Sequence, residues 1–321
     1  MDRICITDLD FEDTNIEAEA CEKAGIELVA YQDRTSQGIV AHAAGADAVL
    51  TSYGDFNAAV IDKLAGVKAI CKTGIGVDNI DVEAATAHGI AVCNVPGYGT
   101  EIVSDHAIAL ALGCLRRINE LDANLRAGTW EYARCRPLGQ VRGRTFGVVG
   151  MGEIGRAVAR KANGLGFRVV CSSRSLVPGR TTPEGYPVLE LDELFECADI
   201  VSVHVALVPE TAHLVDERRL ALMKPGAILV NTSRGGTVDT VALARALEEN
   251  KLWGAGIDVF ETEPIEPDHP LLSAPHTLLT PHAAYWSEES GRELRTRAIG
   301  NLIEVLQTGR CADCVNPSVF E

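Results

Sequence analysis

Residues Phe146-Gly147-Val148-Val149-Gly150-Met151-Gly152-Glu153-Ile154-Gly155 decide how the chain is read. An apolar run of strand character is followed at once by glycines spaced GxGxxG, and a helix-like stretch begins behind them. In such a loop the first glycine allows the tight turn, the second lets the backbone approach a pyrophosphate, and the third lets the helix pack against the strand. The free N–H groups of the helix start then face the phosphate charge, with Glu153 and Ile154 in its first turn. The next strand ends in Val169-Val170-Cys171-Ser172-Ser173-Arg174-Ser175. An NAD site normally carries Asp or Glu there to receive the ribose 2′-hydroxyl. Here Ser173 stands in that place and Arg174 follows, so a 2′-phosphate meets no repulsion and finds a guanidinium. The expectation is an NADP-preferring site, with NAD the alternative if Arg174 is only a solvated loop residue.

Working outward, short apolar runs alternate with helical stretches along the whole length, the pattern of a parallel α/β protein. Runs at 4–7, 48–51, 69–72 and 91–94 form a first strand series. A second opens at 146–149 and continues at 168–171, 200–204, 227–231, 254–258 and 277–279. Two doubly wound parallel-sheet domains follow. A helical stretch over 100–126 separates the series and is expected to bridge them. A last helix, 288–307, is expected to return and cover the first sheet. The domains are therefore placed at 1–98 plus 287–321, which binds substrate, and 99–286, which binds the dinucleotide.

Composition removes whole function classes. The 321 residues carry 29 Lys plus Arg against 45 Asp plus Glu, a net charge of −16. That field repels phosphate backbones and anionic headgroups, so nucleic-acid and membrane partners are not expected. The longest apolar run, 107–115, is far short of the ~20 residues that a membrane-spanning helix needs. The first residues, MDRICITDLD, are acidic where a signal peptide would be basic. The ten cysteines mostly lie in apolar runs, as small hydrophobes. Together these features indicate a reduced, cytoplasmic protein. Cys311-Ala312-Asp313-Cys314 lacks the further ligands of a zinc site and reads as two unlinked thiols. His42, His88, His213, His269 and His276 show no metal-ligand spacing, so no metal is expected. His106, at the start of the apolar run, reads as packing.

Three segments start at the C-terminal ends of strands in the second series, where open α/β sheets bind ligands. They are Asn231-Thr232-Ser233-Arg234-Gly235-Gly236, Asp258-Val259-Phe260-Glu261-Thr262-Glu263-Pro264 and Thr280-Pro281-His282-Ala283-Ala284. They supply a fixed cation for a carboxylate, an acid able to orient an imidazole, and a proton donor. That set suits reduction of a 2-keto acid.

With these segments in view, and with Thr73-Gly74-Ile75-Gly76-Val77-Asp78-Asn79-Ile80-Asp81, Asn94-Val95-Pro96-Gly97 and the run from Met223-Lys224-Pro225-Gly226 to Pro264, the chain resembles a D-isomer-specific 2-hydroxyacid dehydrogenase over nearly its whole length. Within that superfamily, Ala91-Val92-Cys93-Asn94-Val95-Pro96 and Thr280-Pro281-His282-Ala283-Ala284 are most similar to the C-terminal-binding-protein branch, which holds corepressors as well as enzymes. The resemblance implies a Rossmann domain and a flavodoxin-like substrate domain with a cleft between them, and a homodimer with residues 110–125 as a contact. It implies that His282 protonates the substrate carbonyl, Glu263 orients His282, and Arg234 binds the carboxylate. It assigns cofactor contacts to Gly150, Gly152, Glu153, Ile154, Gly155, Ser173, Arg174, His204, Val205, Ala206, Thr211, Thr232 and Asp258, the last on the carboxamide. It assigns substrate contacts to Tyr53, Lys72, Gly74, Ile75, Gly76 and Tyr285. Departures are Lys72 where the branch carries arginine, Tyr285 for its tryptophan, Ala206 for a common proline, and Glu153 where relatives often place a base. The expected activity is NAD(P)-dependent reduction of a glyoxylate- or hydroxypyruvate-type keto acid to the D-2-hydroxy acid. The alternatives are a nicotinamide-sensing corepressor-like binding protein, or a dehydrogenase for 3-phosphoglycerate or a phosphonate or aromatic keto acid.

Overall fold

The computed structural model describes residues 1–321. The chain forms two compact units, Met1–Gly99 with Ser287–Glu321, and Thr100–Trp286.

The first unit is built on β1 (Arg3–Asp8), β2 (Glu27–Ala30), β3 (Ala48–Thr51), β4 (Ala69–Lys72) and β5 (Ala91–Cys93), all parallel in the order β2-β1-β3-β4-β5. Every residue of β3 and β5 is buried, so these strands are continuous apolar runs rather than alternating ones. β2 is absent from the sequence reading because it is an edge strand with no fully buried residue. Its Glu27 carboxylate instead pairs with the Arg3 guanidinium, 2.9 Å away. One part of the core gathers Ile39, Val49, Phe56, Ile61, Ile70 and Val92. Helix Glu288–Thr308 packs on β3, β4 and β5 and against helix Asn15–Ala24. There the Arg295 guanidinium grips the fully buried Glu17 carboxylate at 2.6 and 2.8 Å. A buried charge of this kind is tolerated because it is paired and hydrogen-bonded.

The second unit holds β6 (Thr145–Val149), β7 (Arg168–Ser172), β8 (Ile200–Val203), β9 (Ala227–Asn231), β10 (Leu252–Ile257) and β11 (Thr277–Leu279), parallel in the order β11-β10-β9-β8-β6-β7. Val188 forms a single parallel bridge to Cys171 beyond β7. Apolar clusters fill both faces, one with Leu194, Phe195, Leu229 and Leu243, the other with Leu110, Leu115, Phe146 and Val158. In each sheet the chain moves to one side after its first strand and then crosses to the other. The ends of β1 and β3, and of β6 and β8, are therefore switch points where loops part and ligands fit.

The 100–126 stretch differs from its expected form. It is two helices, Thr100–Arg116 and Ile118–Arg126, broken at Arg117, whose φ is +49°. It packs within the second unit, with Leu110 buried against Gly256. No helix is long and apolar enough to cross a membrane.

Candidate active site

The glycine loop follows β6 and opens helix Glu153–Gly164. Gly150 has φ +95°, and a Cβ there would lie 2.4 Å from the His204 carbonyl oxygen. A Cβ on Gly155 would lie 1.9 Å from the Gly150 carbonyl oxygen. A Cβ on Gly152 would meet nothing within 4 Å, so the space in front of the helix start is open. Gly152 caps the helix with no side-chain acceptor, and the first-turn N–H groups have no intrahelical partner. Glu153 is exposed in this turn and accepts from the Thr100 hydroxyl at 3.4 Å.

Across the switch point, the His204 ring contacts the Ser202 hydroxyl through Nε2 at 2.8 Å, while its buried Nδ1 has no protein partner. Burial pushes this imidazole down to about 3, so it is neutral at physiological pH. Val205 lies against Gly150, and Ala206 is exposed. After β9, the buried Thr232 hydroxyl is likewise without a partner. An open glycine cradle flanked by two orphaned polar groups at strand ends fits a dinucleotide. Beyond β7, Ser173 is half-buried with its hydroxyl 3.4 Å from that of Ser175, and Arg174 is exposed with no ion pair. Thr211 ends the short turn Pro209–Thr211. Its hydroxyl accepts from Val208 N–H at 2.9 Å and donates to the Ala206 carbonyl at 2.6 Å, so it shapes the loop after β8.

The loops after β9, β10 and β11 carry Arg234, Glu263 and His282. His282 Nδ1 lies 2.6 Å from Glu263 Oε2, and the other Glu263 oxygen accepts the Phe260 N–H at 2.9 Å. Burial penalises the Glu263 carboxylate, but the His282 and Phe260 hydrogen bonds and the charges of His282 and Arg234 outweigh it and hold the group below its ordinary value. Glu263 is thus an anion pinned to one imidazole nitrogen, which leaves Nε2 of His282 for other partners. His282 itself has φ +51°, a left-handed conformation uncommon outside glycine and often found at functional sites. The backbone holds it there through His282 N–H to Asp258 O at 2.7 Å.

The Asp258 side chain completes that hold. Its carboxylate accepts from the N–H groups of Ala283 at 2.8 Å and Ala284 at 3.0 Å, and from the Thr280 hydroxyl. These bonds make the Asp258 carboxylate a brace under the His282 loop. Tyr285 meets the His282 ring edge-on at 5.9 Å.

In the first unit, Tyr53 carries two cations near its ring, Arg34 at 4.5 Å and Lys72 at 4.7 Å from the centroid. Its hydroxyl donates to Asp10 at 3.0 Å. Of the three glycine-loop N–H groups after β4, that of Gly74 donates to the Lys72 carbonyl at 3.0 Å within the loop. The Asn94 side chain fixes this loop by donating to the Ile75 carbonyl at 2.7 Å.

Residues 108–284 match the family model for the D-isomer specific 2-hydroxyacid dehydrogenase, NAD binding domain. The chain belongs to the D-isomer specific 2-hydroxyacid dehydrogenases. It is 43% identical to a glyoxylate reductase of Korarchaeum cryptofilum over 261 residues, 80% of this chain and 79% of that one. A glyoxylate reductase structure from Paecilomyes thermophila matches with TM-score 0.88 and 32% identity over 98% of both chains. A D-3-phosphoglycerate dehydrogenase of Mycobacterium leprae is 40% identical over 78% of this chain but only 47% of its own length. None of these three is a C-terminal-binding protein.

Several residues around this dehydrogenase's site were not legible in sequence. His106 is more than packing, since its Nε2 lies 3.0 Å from the Thr280 hydroxyl, inside the brace of the His282 loop. Asp8, fully buried at the end of β1, accepts from Thr51 Oγ1 and Tyr53 N–H at 2.7 Å each and from Gly54 N–H at 3.2 Å, so it shapes the Tyr53 loop. An acid closing an apolar strand run was the available signal. Arg156, one turn beyond Glu153, donates to the Met151 carbonyl at 3.2 Å and brings a cation to the glycine loop.

Proposed function

We propose that the chain reduces a small 2-keto acid of the glyoxylate or hydroxypyruvate type, yielding from the latter the D-2-hydroxy acid. The observation that carries this reading is the 2.6 Å contact from His282 Nδ1 to an ionised Glu263. A carboxylate on one nitrogen fixes the tautomer and orientation of the ring. His282 then presents an Nε2 proton to the keto oxygen, and receives it back in the reverse direction. Arg234 offers a charge to the carboxylate and the polarised carbonyl. In the first unit, Lys72, Tyr53 and the unpaired N–H groups of Ile75 and Gly76 are assigned to substrate, and Tyr285 to its side chain. Gly150, Gly152, Ile154, Gly155, His204, Val205 and Thr232 would hold a nicotinamide dinucleotide, which supplies the hydride when bound. The relatives named glyoxylate reductase, covered over most of their length, support the small substrate.

NADP preference rests on Ser173 and the unpaired Arg174. Homodimerisation is supported by an apolar surface of Ile118, Leu125, Trp130 and Tyr132, from 52 to 90% exposed, whereas the buried Leu110 belongs to the core. Ten unlinked cysteines suit a reducing, cytoplasmic setting. Initial rates of NADPH and NADH oxidation against a panel of 2-keto acids test the reading. His282→Ala is expected to lower kcat by about 10²–10⁴ while cofactor affinity is kept. Unchanged turnover in that variant would remove His282 from the chemistry.

A further inference from the structure

The CxxC near the C-terminus does not face itself. Cys314 Sγ lies 3.4 Å from Asn316 Oδ1, whereas Cys311 Sγ lies 3.2 Å from the sulfur of Cys93, 218 residues away in sequence. Cys93 is fully buried, whereas Cys311 retains 8% exposure and is the member of the pair nearer to solvent. The surroundings tie this pair to the substrate loop. Cys93 ends β5 and bridges Cys314, and the next residue, Asn94, donates its N–H to the Asp313 carbonyl at 3.2 Å. The Asn94 side chain holds the Ile75 carbonyl, and Val95 N–H holds the Gly74 carbonyl at 2.9 Å.

We propose that Cys93 and Cys311 form a reversible disulfide with a peroxide oxidant, and that its formation is felt at the 74–76 loop. The hydrogen bond from Cys93 holds the Cys311 thiol below its ordinary value, while the same contact and burial push Cys93 up. Cys311, the member of the pair that keeps some exposure, is assigned as the attacking thiolate. Its sulfur attacks one peroxide oxygen, the O–O bond breaks, and the departing hydroxide takes a proton to become water. Cys311 is left as a sulfenic acid. The Cys93 sulfur, giving up its proton, attacks the Cys311 sulfur, and the S–O bond breaks as a second water leaves. The two thiols lose two electrons and two protons, and one peroxide is reduced to two waters. A disulfide needs the sulfurs at about 2.05 Å, so the pair must close from 3.2 Å. Cys93 and the 311–314 segment share that movement, and Asn94 transmits it.

The full chain is treated with hydrogen peroxide and mapped by non-reducing peptide mass analysis, which does not depend on the substrate assigned above. A Cys93–Cys311 cross-linked peptide, reversed by dithiothreitol and retained in Cys314→Ala, is the expected result. A Cys311–Cys314 link, or Cys93 and Cys311 both still open to alkylation, would overturn the pairing. With glyoxylate as substrate, KM is expected to rise several-fold on oxidation, return with dithiothreitol, and not respond in Cys93→Ala. An oxidised, cross-linked protein with unmoved KM would overturn the link to the 74–76 loop.

Discussion

Gly235→Ala tests whether the Arg234 and Glu263 loops are held as one piece. A Cβ at Gly235 would stand 1.9 Å from both the carbonyl carbon and oxygen of Phe260 and 2.4 Å from Glu261 N. All three atoms are backbone, so no side chain can turn aside. Ordinary contact begins at 3.4 Å, so the two loops must part by about 1.5 Å if neither distorts elsewhere, and overpacking of this kind costs about 1–3 kcal/mol. In a unit of this size each kcal/mol lowers Tm by about 2–4 °C. The larger effect falls on turnover. Phe260 N–H holds one Glu263 oxygen while the other oxygen holds His282. Displacing Phe260 therefore moves the imidazole, and a misplacement of about 1 Å costs on the order of 10²-fold. The assay is kcat/KM for glyoxylate with NADPH beside a thermal melt. A variant with wild-type kcat/KM and Tm would refute the argument, since the clash would then have been relieved without disturbing either loop.

Gly152→Ala is the counterpart, because its Cβ enters open space. Tm is expected to stay within about 0.5 kcal/mol-equivalent of wild type, while NADPH affinity falls; titration of cofactor fluorescence reads this, and unaltered affinity would mean the pyrophosphate does not approach there. Asp258→Asn keeps one acceptor but turns an NH₂ toward the donors at Thr280, Ala283 and Ala284. It is expected to cost about 1–3 kcal/mol and to lower kcat, and a stable variant of normal kcat would show that the brace is dispensable. His204 gives a pH signature. Its folded imidazole stays neutral to about pH 3 while the unfolded one takes a proton near 6.5. Its contribution is therefore complete above pH 6.5 and is lost as the pH falls toward 3, by about 1.4 kcal/mol per unit for one proton. Denaturant titrations at several pH values should show a shallower acid decline in His204→Asn; parallel curves would argue that the ring protonates freely.

The sheets were legible because buried parallel strands are continuous apolar runs, and the glycine loop because each glycine answers a separate steric demand. β2 was not, since its apolar run, Leu28-Val29-Ala30, is short and interrupted by Glu27, as suits an edge strand with no fully buried residue. The break at Arg117 was also hidden, because a left-handed arginine has no propensity signal. Arg234, Glu263 and His282 can be named from strand-end position and family motifs, but the hold of Asp258 on the His282 loop cannot. Motif position says where a carboxylate lies along the chain, not which N–H groups fold back upon it. His106 and Cys93 share that limit: their partners are 174 and 218 residues distant.

The return of helix Glu288–Thr308 to the first unit imposes an order on synthesis. Glu17 is made early, but its guanidinium partner, Arg295, emerges only after the whole second unit. The 278 residues between them take an interval of ~14–56 s at about 5–20 residues per second. During it the nascent first sheet has one face uncovered and Glu17 has no counter-charge, while residues 100–286 can already fold behind it. The amino-terminal segment is thus the last to be completed, and the ribosome must present a finished second unit before the first can close.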